Sequence, residues 1–398
     1  MKFAADILSA FRQVSYMMLS LLLFAVPVKA DPAASQVTVD LYGHILRFNL
    51  TGDFYRQRSN CFSQDHIAES VDKLIKDRQM DTLISQMNSY ATQFGMDDMA
   101  YLMMLNKVSN VLMNRESEAC RTLFKYATLH KKGLDVFIGY SESSITLYGL
   151  TNCMIDNCIY IERGNKKYFD LSFSQQRLPQ TEQLFVIRRS GKTVPLVMNM
   201  ITPPTFNAKQ DKKVRPFEYD GIVYFFTAKV NRSLVDYYRE LPTIKIGTLY
   251  LNYGLSASAT QSLVQEIRTA TASMSATRSV DFIMRFVQTS FDYKKDIQVY
   301  GQEKFSFPEE TLMNRYADCE DKAILFASLV NKVLGFKTVA LHYKDAEHIN
   351  IALESWDRHL KSNFVFKDQD YVVCEPSGAG FNIGESATSV NFARLIEW

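Results

Sequence analysis

The sequence predicts an α+β, multi-domain protein. Three observations carry that prediction: helical apolar periodicity from His66 to about His130, short β-rich runs after Leu134, and a return of helical periodicity after Leu255. The corresponding ranges are a mainly helical region at 31–133, a β-rich domain at 134–254 and a mixed terminal domain at 255–398, behind an N-terminal leader at 1–30. With 398 residues, 47% of them hydrophobic and 22% charged, the chain can fill two or three packed cores.

The leader is read from Lys2 and Arg12 ahead of an apolar run from about Tyr16 to Val28, closing on Val28-Lys29-Ala30 before Asp31. This is the pattern of a signal peptide cleaved after Ala30, which places the mature protein in the periplasm or outside the cell. A retained anchor is the competing reading, but the apolar run falls short of the roughly 20 residues that span a bilayer. No stable membrane span is therefore expected after cleavage. The absence of cysteine before Cys61 excludes a lipidated cysteine close behind the leader.

In the helical region, Ile67, Val71, Leu74 and Ile75 recur at spacings of three and four, and Met99, Leu102, Met103, Val108, Val111 and Leu112 continue the stripe. Both read as core, with methionine filling irregular packing space. Ahead of them, Val37 to Leu50 reads as a short strand-like segment. The middle domain is read from Val136–Ile138, Ile145–Tyr148, Cys158–Ile161, Leu184–Ile187 and Ile222–Phe226, separated by turn-forming stretches such as Ser190-Gly-Lys192 and Tyr219-Asp-Gly221.

Composition excludes some functions. The 45 Lys+Arg against 43 Asp+Glu leave a formal charge of +2, so nucleic acid is not expected as a partner, and Lys212-Lys213-Val-Arg215 reads as solvated loop charge. Six cysteines fit an exported protein. Cys153 and Cys158 could close a small loop as a disulfide, and Cys61 and Cys120 are a second candidate pair. No metal site is expected, because no second Cys or His pair lies near Cys153 and Cys158 and no acidic loop has calcium-ligand spacing. The lack of a C-x-x-C pair disfavours a redox protein.

The chemistry-bearing stretch is Arg315-Tyr-Ala-Asp-Cys-Glu-Asp-Lys-Ala323, running through apolar residues to Gly335. It reads as a helix with Asp318 as N-cap, Cys319 at its start and Gly335 at its stop. There the helix dipole favours a thiolate and backbone N–H groups could receive an oxyanion, although Glu320 and Asp321 oppose part of the effect. The base is sought downstream. His342 alternates within an apolar strand as a packed or edge residue, whereas His348 begins a strand at Glu347-His-Ile-Asn-Ile351. Glu375 closes the strand Tyr371-Val-Val-Cys-Glu375 just before Pro376 and could orient the imidazole, with Cys374 on the opposite strand face.

This order of helix-cysteine, strand-histidine and strand-acid resembles the transglutaminase-like superfamily of papain-type cysteine folds. Ala317-Asp-Cys-Glu-Asp321, His348-Ile-Asn350 and Glu375-Pro-Ser377 are the matching segments, with Phe291-Asp-Tyr293 and Pro308-Glu-Glu-Thr-Leu312 resembling the lead-in. The resemblance covers about the last 140 residues. It implies a catalytic triad of Cys319, His348 and Glu375, no cofactor, and a peptide or protein amide as substrate. The protein would then be an exported cysteine peptidase or amidase working through a thioester, with an amine as the alternative acceptor. A catalytically inactive binding or assembly module is the other reading. Glu375 stands where the family has aspartate, a longer acid that can still orient the histidine if its strand retreats slightly; Asn350 stands where the family has tryptophan and Ala317 where it has glycine, two departures that could reshape the groove or the oxyanion hole.

Overall fold

Two strands, β1 (Ala34–Leu41) and β2 (His44–Thr51), pair antiparallel where the sequence suggested a single extended segment. The chain reverses at Tyr42-Gly43, both at positive φ (53° and 93°), a two-residue turn that matches the twist of paired strands. The φ of Gly43 is what favours glycine, and a Cβ there would also crowd Ala208 Cβ at 3.1 Å and the flexible end of Lys209 at 2.8 Å. The structure is a computed structural model. It describes residues 34–51, 66–142, 144–156, 158–173, 183–198, 202–244, 250, 253–301 and 303–396. The expected leader and Cys61 lie outside the described residues.

The helical stretch divides into α1 (Ile67–Lys76), α2 (Arg78–Phe94), α3 (Asp98–Leu112) and α4 (Glu118–Lys131). Side chains of Asp77, Asp97 and Ser117 accept the first-turn amides of α2, α3 and α4, and Gly95 ends α2 in the left-handed conformation. Met80, Met87, Met99, Met103 and Met104 are buried, so the methionines fill the core. That core also takes in Leu46, Phe48 and Leu50 of β2.

Next comes a five-stranded antiparallel sheet in the order β5-β6-β4-β3-β7. Its strands are β3 (Val136–Tyr140), β4 (Ile145–Leu150), β5 (Tyr160–Arg163), β6 (Lys166–Asp170) and β7 (Phe185–Ile187). Val136 and Ile138 share the helical core, so this sheet and α1–α4 pack as one body. β6 was hidden in the sequence by its two lysines, which stay on the exposed end of the strand.

A long hairpin follows, β8 (Gln210–Tyr219) and β9 (Ile222–Asn231), leading into α5 (Arg232–Glu240). The Lys212–Arg215 run, expected as loop, is therefore strand. Arg215 turns inward and donates to the carbonyls of Leu312 (2.8 Å) and Asn314 (2.5 Å). The inner face of the hairpin packs onto the terminal helices: Phe217 stands edge-on to Phe282 (5.0 Å) and Phe286 (5.3 Å). Those helices are α6, a helical stretch at 257–271 with a π-turn at Thr260–Val264, and α7 (Ala276–Thr289).

Short elements lead to the site: β10 (Asp292–Tyr293), α8 (Asp296–Tyr300), α9 (Pro308–Met313) and β11 (Tyr316–Ala317), which pairs parallel with β10. Helix α10 (Cys319–Leu334) then packs on a second five-stranded antiparallel sheet, ordered β14-β15-β13-β12-β16. Its strands are β12 (Thr338–Tyr343), β13 (His348–Glu354), β14 (Phe364–Phe366), β15 (Gln369–Cys374) and β16 (Arg394–Ile396). The protein is thus mixed α+β, with several antiparallel sheets and two curled half-barrels. Among the described residues no helix is long and apolar enough to cross a membrane.

Candidate functional site

Helix α10 begins as its local signals predict. Asp318 is the N-cap, its carboxylate accepting from the Asp321 amide (3.4 Å), and Gly335 closes the helix at φ 75°. The cap places Cys319 in the first turn, against the start of β13. The Cys319 sulfur lies 3.8 Å from the Glu347 carbonyl oxygen and receives the Ile349 amide. These two backbone groups flank His348 in sequence, so the histidine begins the strand that touches Cys319.

His348 and Glu375 meet across adjacent strands. Nε2 of His348 lies 2.7 Å from Oε2 of Glu375, and the carboxylate is fully buried. With Nε2 donating to the acid, Nδ1 is the ring nitrogen left to take a proton. Burial alone would raise the Glu375 pKa, but the His348 bond and charge outweigh it, helped by Ser377 and Asn350, and the net shift is downward. The acid therefore stays ionised against its histidine.

Cys319 sits in a different electrostatic setting from the one its helix position suggests. Burial pushes the thiol up, and the adjoining carboxylates of Glu320 and Asp318 push it further. The thiol donates to Glu320 Oε2 at 2.8 Å, and the Tyr293 hydroxyl hydrogen-bonds the same sulfur. The helix dipole is outweighed because burial penalises the thiolate and the adjoining carboxylates add to that penalty.

Cys319, Tyr293, Phe305 and Glu320 line a cavity of about 190 Å³. His342, expected to be packed or at an edge, lines it as well. Glu303 and Glu347 add carboxylates to the wall, and Lys295 and Lys344 add ammonium groups. A larger cleft, about 670 Å³, runs between the β8–β9 hairpin and α6 and is lined by Phe225, Lys212, Lys229 and Gln265. It lacks a thiol or imidazole, whereas the smaller cavity is lined by both Cys319 and His342.

Around the start of α10, Asp296, Asp318 and Asp321 bring carboxylate oxygens within 4.8 Å of one another. Of the described residues this is the group whose spacing would admit a cation, and no sequence motif announced it, because Asp296 is supplied from α8. Burial pushes Asp296 up to about 7 and Asp321 well above the usual carboxylate range, with repulsion from Asp318 adding to both. Glu320 is likewise pushed up to about 7. Amides of Lys304 and Ser306 donate to Asp296 (2.9 Å) and Asp321 (2.8 Å).

Several residues that hold the site together escaped the sequence reading. Gln288 on α7 donates to the Glu375 carbonyl (2.8 Å), and buried Lys322 donates to the carbonyls of Gln288 (3.0 Å) and Ser377 (3.4 Å). The lysine, one turn past Cys319 on a face of apolar residues, was the available signal. Burial pushes its ammonium down to about 8. Asn350 is buried, donating to Ser386 Oγ (2.7 Å) and lying 3.4 Å from Glu375 Oε2. Cys374 is core, as its alternation implied. Cys153 and Cys158 do not form the disulfide that their spacing allowed; both are free thiols. Their sulfurs face different partners, Met198 Sδ at 3.2 Å for Cys153 and the Asp170 carbonyl at 3.3 Å for Cys158. Compared with known proteins, the chain matches no protein-family model and no curated protein.

Proposed function

We propose that this chain is an exported, transglutaminase-like cysteine peptidase or amidase. The observation that carries the reading is the His348–Glu375 pair, its acid fully buried and its histidine at the start of the strand that touches Cys319. In the proposed reaction the Cys319 thiol gives its proton to His348 and its sulfur attacks an amide carbonyl carbon. Amides at the start of α10 would receive the oxyanion. The tetrahedral intermediate expels the amine, which takes the proton back from His348, leaving a thioester that water hydrolyses. Glu375 holds the imidazole and stabilises its charged form in both halves of the cycle. No metal or cofactor enters these steps.

A catalytically silent binding module is the second reading, and one observation favours it: the thiol is 5% exposed and donates to Glu320. Iodoacetamide labelling of Cys319 across pH, read by mass spectrometry in wild type and His348→Ala, separates the two. Labelling near pH 6–7 that collapses in the variant supports the enzyme. Slow labelling that does not depend on His348 supports the module and overturns the enzyme.

A further inference from the structure

We infer that the Ser377 hydroxyl is a positioning residue for Glu375, dividing the carboxylate so that one oxygen is committed to His348 and the other to Ser377. The inference rests on the reading of Cys319, His348 and Glu375 as a triad.

Glu375 carries one more rotatable bond than aspartate would at this position, so its carboxylate has more ways to miss the imidazole. It is also fully buried, where an oxygen without a donor is costly. Both problems are answered by the same neighbours. Oε2 receives His348 Nε2 at 2.7 Å, with Asn350 Nδ2 further away at 3.4 Å. Oε1 receives the Ser377 hydroxyl at 2.6 Å and the Ser377 amide at 3.4 Å. The hydroxyl contact has the length of a charge-assisted hydrogen bond, and it is the short contact to Oε1.

The serine is itself fixed. Its carbonyl receives Lys322 Nζ, one turn beyond Cys319 on the same helix, so the segment that holds the acid is tied to the helix that carries the nucleophile. Asn350 is less suited to the role, because its Nδ2 reaches Oε2 rather than Oε1, and only at 3.4 Å, while its short bond of 2.7 Å goes to Ser386 Oγ. Without the Ser377 hydroxyl, Oε1 keeps only a long amide contact. The carboxylate is then free to rotate, and the imidazolium that must accompany a Cys319 thiolate loses its partner.

Ser377→Thr and Ser377→Val are close to isosteric and differ in the hydroxyl donor, so effects of bulk on folding cancel between them. The rate of Cys319 alkylation by iodoacetamide is measured from pH 5 to 9 in both, beside wild type and His348→Ala. The expected result is a wild-type profile for Ser377→Thr. Ser377→Val should be displaced to higher pH, with labelling at pH 7 about tenfold slower, the scale of one hydrogen bond to a charged group. Coincident profiles for the Thr and Val variants overturn the inference while a collapse in His348→Ala leaves the triad standing. A wild-type profile that is indifferent to His348→Ala overturns the triad, and the inference with it.

Discussion

His348 Nε2 and Glu375 Oε2 stand 2.7 Å apart, 27 positions distant in sequence, joining a histidine whose side chain is 14% exposed to a carboxylate with no exposure. The histidine keeps some exposure while its acid is sealed from water, an arrangement that makes the charge of Glu375 count. Glu375→Gln keeps the shape and removes that charge. Alkylation of Cys319 at pH 7 should fall by about 10²-fold, within the range expected for loss of an assisting acid–base group. The same variant should also lose a stability dependence. The folded pKa of Glu375 lies below its unfolded value, so its contribution is present above the unfolded pKa and is lost as pH falls through the folded one. Thermal melts between pH 6 and 3 should show a smaller acid loss in Glu375→Gln than in wild type.

Glu320 acts against the thiolate. Burial is the first cause of the raised Cys319 pKa and Glu320 the second, so Glu320→Gln removes a repelling charge while leaving the burial in place. Labelling at pH 8 should accelerate about tenfold, corresponding to roughly one pKa unit. An unchanged rate would mean that Glu320 does not set the thiol, leaving desolvation and Asp318 as its causes.

Asp296, pushed up to about 7 by burial and by Asp318, gives a stability prediction of opposite sign to that for Glu375. The folded protein holds a proton that the unfolded chain releases near pH 4, so this group lowers stability as pH rises from about 4 to 7. The charged groups around it, Asp318, Glu303 and Lys304, remain in Asp296→Asn, and the amide oxygen can still accept from the Lys304 backbone. Calorimetry should show the variant melting roughly 3–6 °C above wild type at pH 8 and level with it at pH 4. A lower melting temperature at pH 8 would mean that the carboxylate is needed ionised.

Phe217 joins the β8–β9 hairpin to α7 through edge-on contacts with Phe282 and Phe286. Phe217→Ala leaves a cavity in the core shared by the hairpin and the terminal helices. Denaturant unfolding should register a loss of about 3–5 kcal/mol, the usual cost of removing a buried phenylalanine side chain. A loss below about 1 kcal/mol would show the hairpin to be only loosely attached.

Much of this protein is set by relationships within one or two turns of chain. The Asp318 cap, the Cys319 start and the Gly335 stop of α10, and the core runs of β3, β4 and β9, follow from neighbours in sequence, because capping and side-chain periodicity are local. β6 and β8 were not legible, since lysines on an exposed strand edge or face resemble loop composition until a pairing partner is known. The site divides in the same way. Cys319, His348 and Glu375 could be named from their positions at element ends, but which oxygen of Glu375 serves the histidine, what holds the other oxygen, and the acid that faces the thiol are settled by packing. So are the gathering of Asp296 with Asp318 and Asp321 and the separate partners of Cys153 and Cys158. Burial and Coulomb interaction depend on distance through space, and the fold brings those groups together from segments that sequence order keeps apart.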